Sequence, residues 1–250
     1  MSDVLLAVED VTVRFGGLLA VDSMSVSVHA GTIHGIIGPN GAGKTTFFDT
    51  ISGHRSVSAG RIGFRGRDVT HEPAHRRARM GLARTFQLGG IVPDLTALEN
   101  VILGLDQARR SGAAATDRRS DRAVALATLN RLGVAGVADQ ICVSLAAGTR
   151  RLVEVARTMA AGARLVLLDE PGAGVHETEA LELVHVIRAL AGQGTAFLLT
   201  DHSMDLVFAA CDVVTVMNFG KRIANGPPDA IRGDPRVLEA YLGTAAMRRD

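Results

Sequence analysis

The stretch Gly38-Pro39-Asn40-Gly41-Ala42-Gly43-Lys44-Thr45-Thr46 carries the clearest chemistry in the chain. It fits the pattern of a glycine, any four residues, then Gly-Lys-Ser/Thr, a loop that cradles a polyphosphate. Gly38, Gly41 and Gly43 lack a Cβ, so backbone N–H groups can turn inward onto phosphate oxygens. Lys44 is a compact charge on a flexible stem that reaches the β- and γ-phosphates, and the Thr45 hydroxyl suits Mg²⁺. Among 27 basic residues only Lys44 and Lys221 are lysines, so a chain that otherwise uses arginine has kept a lysine at this position. A second group completes a phosphoryl-transfer chemistry with water as acceptor. Asp169 is placed to hold Mg²⁺ and Glu170 to polarise the attacking water. Gln87 offers a neutral amide that can touch both metal and water, and His202 an imidazole that can meet the γ-phosphate or orient the water.

The elements around these residues must bring them to one edge. Thr32 to Ile37 reads as a buried strand and Lys44 to Ser52 as a helix whose positive end faces the anion. Leu165-Val166-Leu167-Leu168 is a wholly apolar strand, as a parallel strand covered on both faces requires, and Asp169-Glu170 stand at its carboxyl end. Leu82 to Phe86 leads to Gln87, and Ala196 to Leu199 leads to His202. Val4 to Glu9, Val11 to Phe15, Met24 to Val28 and Arg61 to Phe64 read as further strands, and Pro73 to Met80 as a short basic helix. Val213 to Met217 and Arg222 to Ala224 form a hairpin across Asn218-Phe219-Gly220-Lys221. From Gly89 to about Met159 the strand signals vanish. Leu95 to Leu105, Ala123 to Leu132 and Arg150 to Met159 are helical, with Asp106 to Asp121 a solvated turn or loose helix end. Glu177 to Leu190, Ser203 to Ala210 and Arg236 to Leu242 are helices. The fold class is therefore α/β with a helical insertion.

Composition excludes several alternatives. The 250 residues carry a net charge of +1, too little for a nucleic-acid binder driven by bulk charge. Cys142 and Cys211 form no metal-spaced pair. Met1-Ser-Asp-Val4 offers no basic and apolar leader, and no apolar run nears the ~20 residues that span a bilayer. These predict a soluble, intracellular chain. His71-Glu72-Pro73-Ala74-His75 matches the His-Glu-x-x-His zinc pattern, but Pro73 belongs in a helix's first turn and leaves His71 outside it. The arginines at 76–79 and 118–122 are expected on solvated faces. A guanine reader of the Asn-Lys-x-Asp type is missing from the sequence.

The order of these motifs resembles the ATP-binding subunits of ABC transporters from Val4 to Gly243, with Walker A at Gly38–Thr45, the Q-loop at Gln87, Walker B at Leu165–Asp169 and the switch histidine at His202. Arg14 to Val21, Ala78 to Gln87 and above all Asp234 to Gly243 are similar to branched-chain amino acid importers. The resemblance implies one ABC ATP-binding domain, a P-loop NTPase with a mixed central sheet and an antiparallel β subdomain. Residues 1–88 and 160–250 would form the nucleotide-binding core and 89–159 the helical insert. It further implies ATP and Mg²⁺ as cofactors, Mg²⁺ held by Thr45, Gln87 and Asp169, and adenine stacked on Phe15. The partners implied are a second ATPase subunit, identical or different, membrane permease subunits met near Pro93–Asn100, and indirectly an exported binding protein. The location implied is peripheral, on the cytoplasmic face of the cell membrane. Rivals within the family are amide or urea import and lipopolysaccharide export; outside transport they are a soluble repair or translation ATPase and a non-hydrolysing assembly subunit. The signature that acts on the partner's nucleotide, normally Leu-Ser-Gly-Gly-Gln, is here Leu145-Ala146-Ala147-Gly148-Thr149. It lacks the serine hydroxyl, and His176 stands where the family has Asp or Asn. The expectation is a weakened hold on the partner's nucleotide.

Overall fold

The computed structural model describes residues 4–85, 90–110 and 121–246. Its strands fall into two sheets. The first is antiparallel with order β2-β1-β4-β5, made by β1 (Val4–Phe15), β2 (Leu18–His29), β4 (Ala59–Phe64) and β5 (Arg67–Asp68). The second has order β10-β9-β3-β8-β7-β6, made by β3 (Ile33–Ile37), β6 (Leu82–Thr85), β7 (Leu165–Asp169), β8 (Ala196–Thr200), β9 (Val213–Asn218) and β10 (Lys221–Gly226). Five of its strands are parallel and β10 is antiparallel to β9, so the sheet is mixed. β3, β7 and β8 are buried at every position, which is why their sequences are apolar without alternation.

Helix α1 (Lys44–Ser52) lies between the sheets. Its Phe47, Phe48 and Ile51 pack with Leu6, Val8 and Val11 of β1 and with Ile36, Leu167 and Leu198 of the mixed sheet. The other face of the mixed sheet is covered by α5 (Ala147–Ala160), α6 (Glu177–Gly192) and α7 (Met204–Ala210). Helices α3 (Ala97–Arg110) and α4 (Asp121–Arg131) extend this layer away from the sheet. α3 and α5 approach closely at Gly104, where a Cβ would fall 2.3 Å from the Arg157 carbonyl oxygen. The chain ends in α8 (Pro228–Arg232) and α9 (Pro235–Ala246). Among the described residues no helix is long and apolar enough to cross a membrane.

Several expectations are corrected. Val4 to Glu9 and Val11 to Phe15 are one strand with a bulge, not two. Asp10 takes φ 46°, and its N–H donates to Ser25 Oγ at 2.9 Å, so the ladder to β2 survives the irregularity. β2 begins at Leu18, well before Met24, because the hairpin with β1 pairs Phe15 with Leu18. Asp106 to Arg110 continue α3 and Asp121 opens α4; 111–120 lie outside the described residues. Arg77 does not cover a solvated face. It is 1% exposed in α2 (Ala74–Arg79) and donates to the carbonyls of Thr50, Ile51, Thr70 and Glu72. A guanidinium is the side chain with enough donors to close the carboxyl end of α1 in this way. Burial pushes its pKa down to about 10. Pro73 caps α2, which starts at Ala74, so His71 and His75 share no helix.

Candidate active site

At the carboxyl edge of the mixed sheet a cleft of about 590 Å³ is lined by Asn40 to Thr46, Glu170, His202, Phe15, Leu18 and Phe219. The loop from Gly38 to Gly43 joins β3 to α1. Its shape depends on missing side chains. A Cβ on Gly38 would fall 2.1 Å from the Met217 carbonyl oxygen, and one on Gly43 (φ 101°) would fall 2.2 Å from that of Ala20. Gly43 is also the N-cap of α1 and brings no side-chain acceptor to the helix's first N–H groups. Those groups, with the helix dipole behind them, suit an anion. The Lys44 ammonium donates to the Gly38 and Pro39 carbonyls at 2.6 and 3.0 Å. Burial pushes its pKa down, against the pull of Glu170 and then Asp169, so both acids lie within electrostatic reach of Nζ.

Glu170 follows β7 in a left-handed conformation, φ 49°, held by its N–H donating to the Thr200 carbonyl at 2.8 Å. That backbone costs a non-glycine residue about 1–2 kcal/mol, and the neighbouring structure must impose it. Its Oε1 lies 2.7 Å from His202 Nε2, which joins the ends of β7 and β8. Asp201 braces this edge: Oδ2 accepts from the Gly172 N–H at 2.8 Å and Oδ1 from that of Ser203 at 2.9 Å. Asp169 is 8% exposed, and its Oδ2 accepts from Arg84 Nη2 at 2.7 Å. Arg84 also reaches Asp49 Oδ1 of α1 at 2.5 Å. A carboxylate such as Asp169 and a hydroxyl such as Thr45 offer oxygen donors, the kind that Mg²⁺ takes.

The structure thus brings together the phosphate loop, Asp169, Glu170, His202 and Phe15. Phe15 is no core residue: it is 41% exposed, with the Arg55 guanidinium 4.4 Å from its ring centre. Gln87 lies outside the described residues. The signature stretch does not line this cleft. Leu145 is buried, Ala146 is the N-cap of α5, and Ala147 to Thr149 form its first turn. A Cβ on Gly148 would meet Glu179 Cβ of α6 at 2.6 Å. His176 is the N-cap of α6, its Nδ1 3.1 Å from Thr178 Oγ1.

Three contacts escaped sequence reasoning. Arg84 left a signal: a charge inside a short buried strand demands carboxylates nearby. Asp201 left none, since an acid after a strand is ordinary. Tyr241 of α9 reaches the phosphate loop from the far end of the chain. Burial pushes its phenol up to about 12, against a hydrogen bond from the Gly38 backbone.

Comparison with known proteins agrees with this geometry. Residues 21–173 match the family described as ABC transporter, and residues 221–246 match the family described as branched-chain amino acid ATP-binding cassette transporter. The chain is 38% identical to the high-affinity branched-chain amino acid transport ATP-binding protein LivG of Salmonella typhimurium, covering 98% of this chain and 100% of LivG. It is 36% identical to the corresponding protein BraF of Pseudomonas aeruginosa, with the same coverage. The crystal structure of MJ1267, an ATP-binding cassette of an ABC transporter, in its ADP conformation superposes with a TM-score of 0.86. Its identity is 29%, covering 97% of this chain and 100% of that one. The chain therefore belongs to the ABC transporter family, as an ATP-binding cassette ATPase of the branched-chain amino acid type.

Proposed function

We propose that this chain hydrolyses ATP to drive uptake of branched-chain or closely related amino acids, as one of two ATPase subunits beneath membrane permease subunits. The observation that carries the hydrolytic part is the strained Glu170, joined to His202 at 2.7 Å and sharing a cleft with the phosphate loop. Glu170 is the general base toward water, and His202 orients that carboxylate and meets the γ-phosphate. A bound triphosphate draws the Lys44 ammonium from the loop carbonyls to its β- and γ-oxygens. Thr45, Asp169 and Gln87 would hold Mg²⁺, which neutralises charge on those oxygens. Phe15 offers an aromatic face to the adenine. Leu145 to Thr149, at the amino end of α5, serve the partner subunit's nucleotide.

Residues 1–88 and 160–250 form the nucleotide-binding core in this reading and 89–159 the helical insert. The permease sits near Pro93–Asn100, where the buried Asn100 amide ties down Val92 through both its N–H and its carbonyl. Cargo is supported by LivG and BraF, named for branched-chain amino acids, and by the C-terminal match at 221–246. The lipopolysaccharide export protein LptB of Acidithiobacillus ferridurans is 36% identical, so export is the rival to test. The test is purification with the products of neighbouring genes, reconstitution in vesicles, and ATPase and uptake assays with leucine, isoleucine and valine. Stimulation by these amino acids and their accumulation is the expected result. ATPase that responds to lipid and to no amino acid would favour export.

A further inference from the structure

The turn between β9 and β10 contains a residue the turn itself disfavours. Asn218 pairs with Lys221, so Phe219 and Gly220 form a two-residue hairpin turn, with φ 45° and 78°. Such turns select Asn-Gly or Asp-Gly, because both central residues must be left-handed. A bulky phenylalanine there is an outlier. Phe219 is also 76% exposed, so no core packing compensates. Its place is fixed: Gly220 N–H donates to the Ala42 carbonyl of the phosphate loop, and Asp22 N–H to the Gly220 carbonyl, each at 2.9 Å. Lys221 Nζ lies 3.3 Å from Asp22 Oδ2. The turn is thus tied to the phosphate loop and to β2, and Phe219 lines the same cleft as Phe15 and Leu18. Leu18 is 66% exposed. Three exposed apolar side chains from two sheets therefore line one cleft.

We propose that Phe219 is a nucleobase-binding residue, a second apolar wall that with Phe15 and Leu18 holds the purine of ATP. An exposed aromatic face gains most from a flat, apolar partner, and a base stacked or edged against it needs no hydrogen-bond readout. The tether from Gly220 to Ala42 couples the position of this wall to the loop that holds the phosphates. The inference rests on the reading of this cleft as the ATP site.

The test uses the full-length chain and two probes, Mg-ATP and Mg-tripolyphosphate, which share the phosphates but differ in the base. Phe219→Asn suits the left-handed turn, so its thermal midpoint should equal or exceed the parent's. It should bind ATP about 5- to 150-fold more weakly, the range of one lost base–aromatic contact. Tripolyphosphate binding should stay within about twofold of the parent, since no phosphate contact changes. Phe15→Ala should give the same split between probes. Parent-like ATP affinity in Phe219→Asn would overturn the proposal, as would equal weakening of both probes. Parent-like ATP affinity with lost permease-coupled ATPase would assign Phe219 to a protein contact and overturn it too. Lys44→Ala separates the two readings: it should weaken both probes. If it weakens neither, the ATP-site reading itself fails.

Discussion

At the sheet edge, residues far apart in the chain meet through charge. Lys44 and Asp49 come from the loop and helix after β3, Arg84 from β6, Asp169 and Glu170 from β7, and His202 from the end of β8. At the start of α5 the situation is reversed. Leu145 to Thr149 are contiguous, carry no charge and contain no serine. The N-cap is Ala146, with no side-chain hydrogen bond to the helix. The cleft at the sheet edge is built by tertiary ion pairs and strained backbone; the start of α5, outside that cleft, is shaped by a helix start alone. The first should be sensitive to removing a group, the second to adding one.

The largest effect is expected at Glu170. Glu170→Gln keeps an acceptor for His202 but removes the base. Its kcat should fall about 10²- to 10⁴-fold, with ATP still bound and the dimer trapped closed. Single-turnover hydrolysis beside equilibrium ATP binding measures both. A parent-like rate would end the assignment of Glu170 as base.

Next comes the brace beneath the acids. Arg84 has a side chain 7% exposed between Asp49 and Asp169. Arg84→Met leaves two carboxylates facing a buried gap and should destabilise by roughly 3 kcal/mol, the low end for a broken buried pair because Asp49 is partly wet. For a chain of this size that lowers Tm by about 6–12 °C. Adding Asp49→Asn should restore part of the loss. Simple additivity of the two changes would mean that Arg84 acts through packing and not through charge.

This contrast also explains what could be read from the chain. Every strand that positions an acid or the phosphate loop announced itself, because parallel strands buried on both faces are apolar runs and the polar residue that ends each run is conspicuous. Leu165 to Leu168 followed by Asp169-Glu170 is the clearest case. The helix Lys44–Ser52 was legible to its ends, since a glycine precedes it and Gly53 stops it. What stayed hidden depends on distant partners. Arg77 reads as one arginine in a basic helix, and nothing local reveals that it closes α1. Glu170 reads as an acid at a strand end, and its left-handed backbone comes from the Thr200 carbonyl thirty residues downstream. The bulge at Asp10 separated two apolar runs that the ladder joins. Phe15 was legible as an aromatic before a Gly-Gly turn, but its exposure was not.

The smallest effect belongs to the start of α5, and it has two readouts that must agree. Ala146→Ser restores a hydroxyl at an N-cap whose backbone is already extended, φ −59° and ψ 155°. Serine in place of alanine at an N-cap is worth about 1 kcal/mol, so Tm should rise by about 2–4 °C. The same hydroxyl should add a charge-assisted hydrogen bond to a phosphate, but to the partner's and not to this chain's own. Mixed dimers in which only one subunit can hydrolyse decide this. With Ala146→Ser and Glu170→Gln in one chain, the new serine faces the intact site and ATPase should rise severalfold, within the factor of about 10 that a bond of 1.5 kcal/mol allows. With the serine in one chain and the base removed from the other, it faces the dead site and the rate should not move. A gain in stability with equal ATPase in both arrangements would make Ala146 a helix cap only, and would detach Leu145 to Thr149 from the nucleotide altogether.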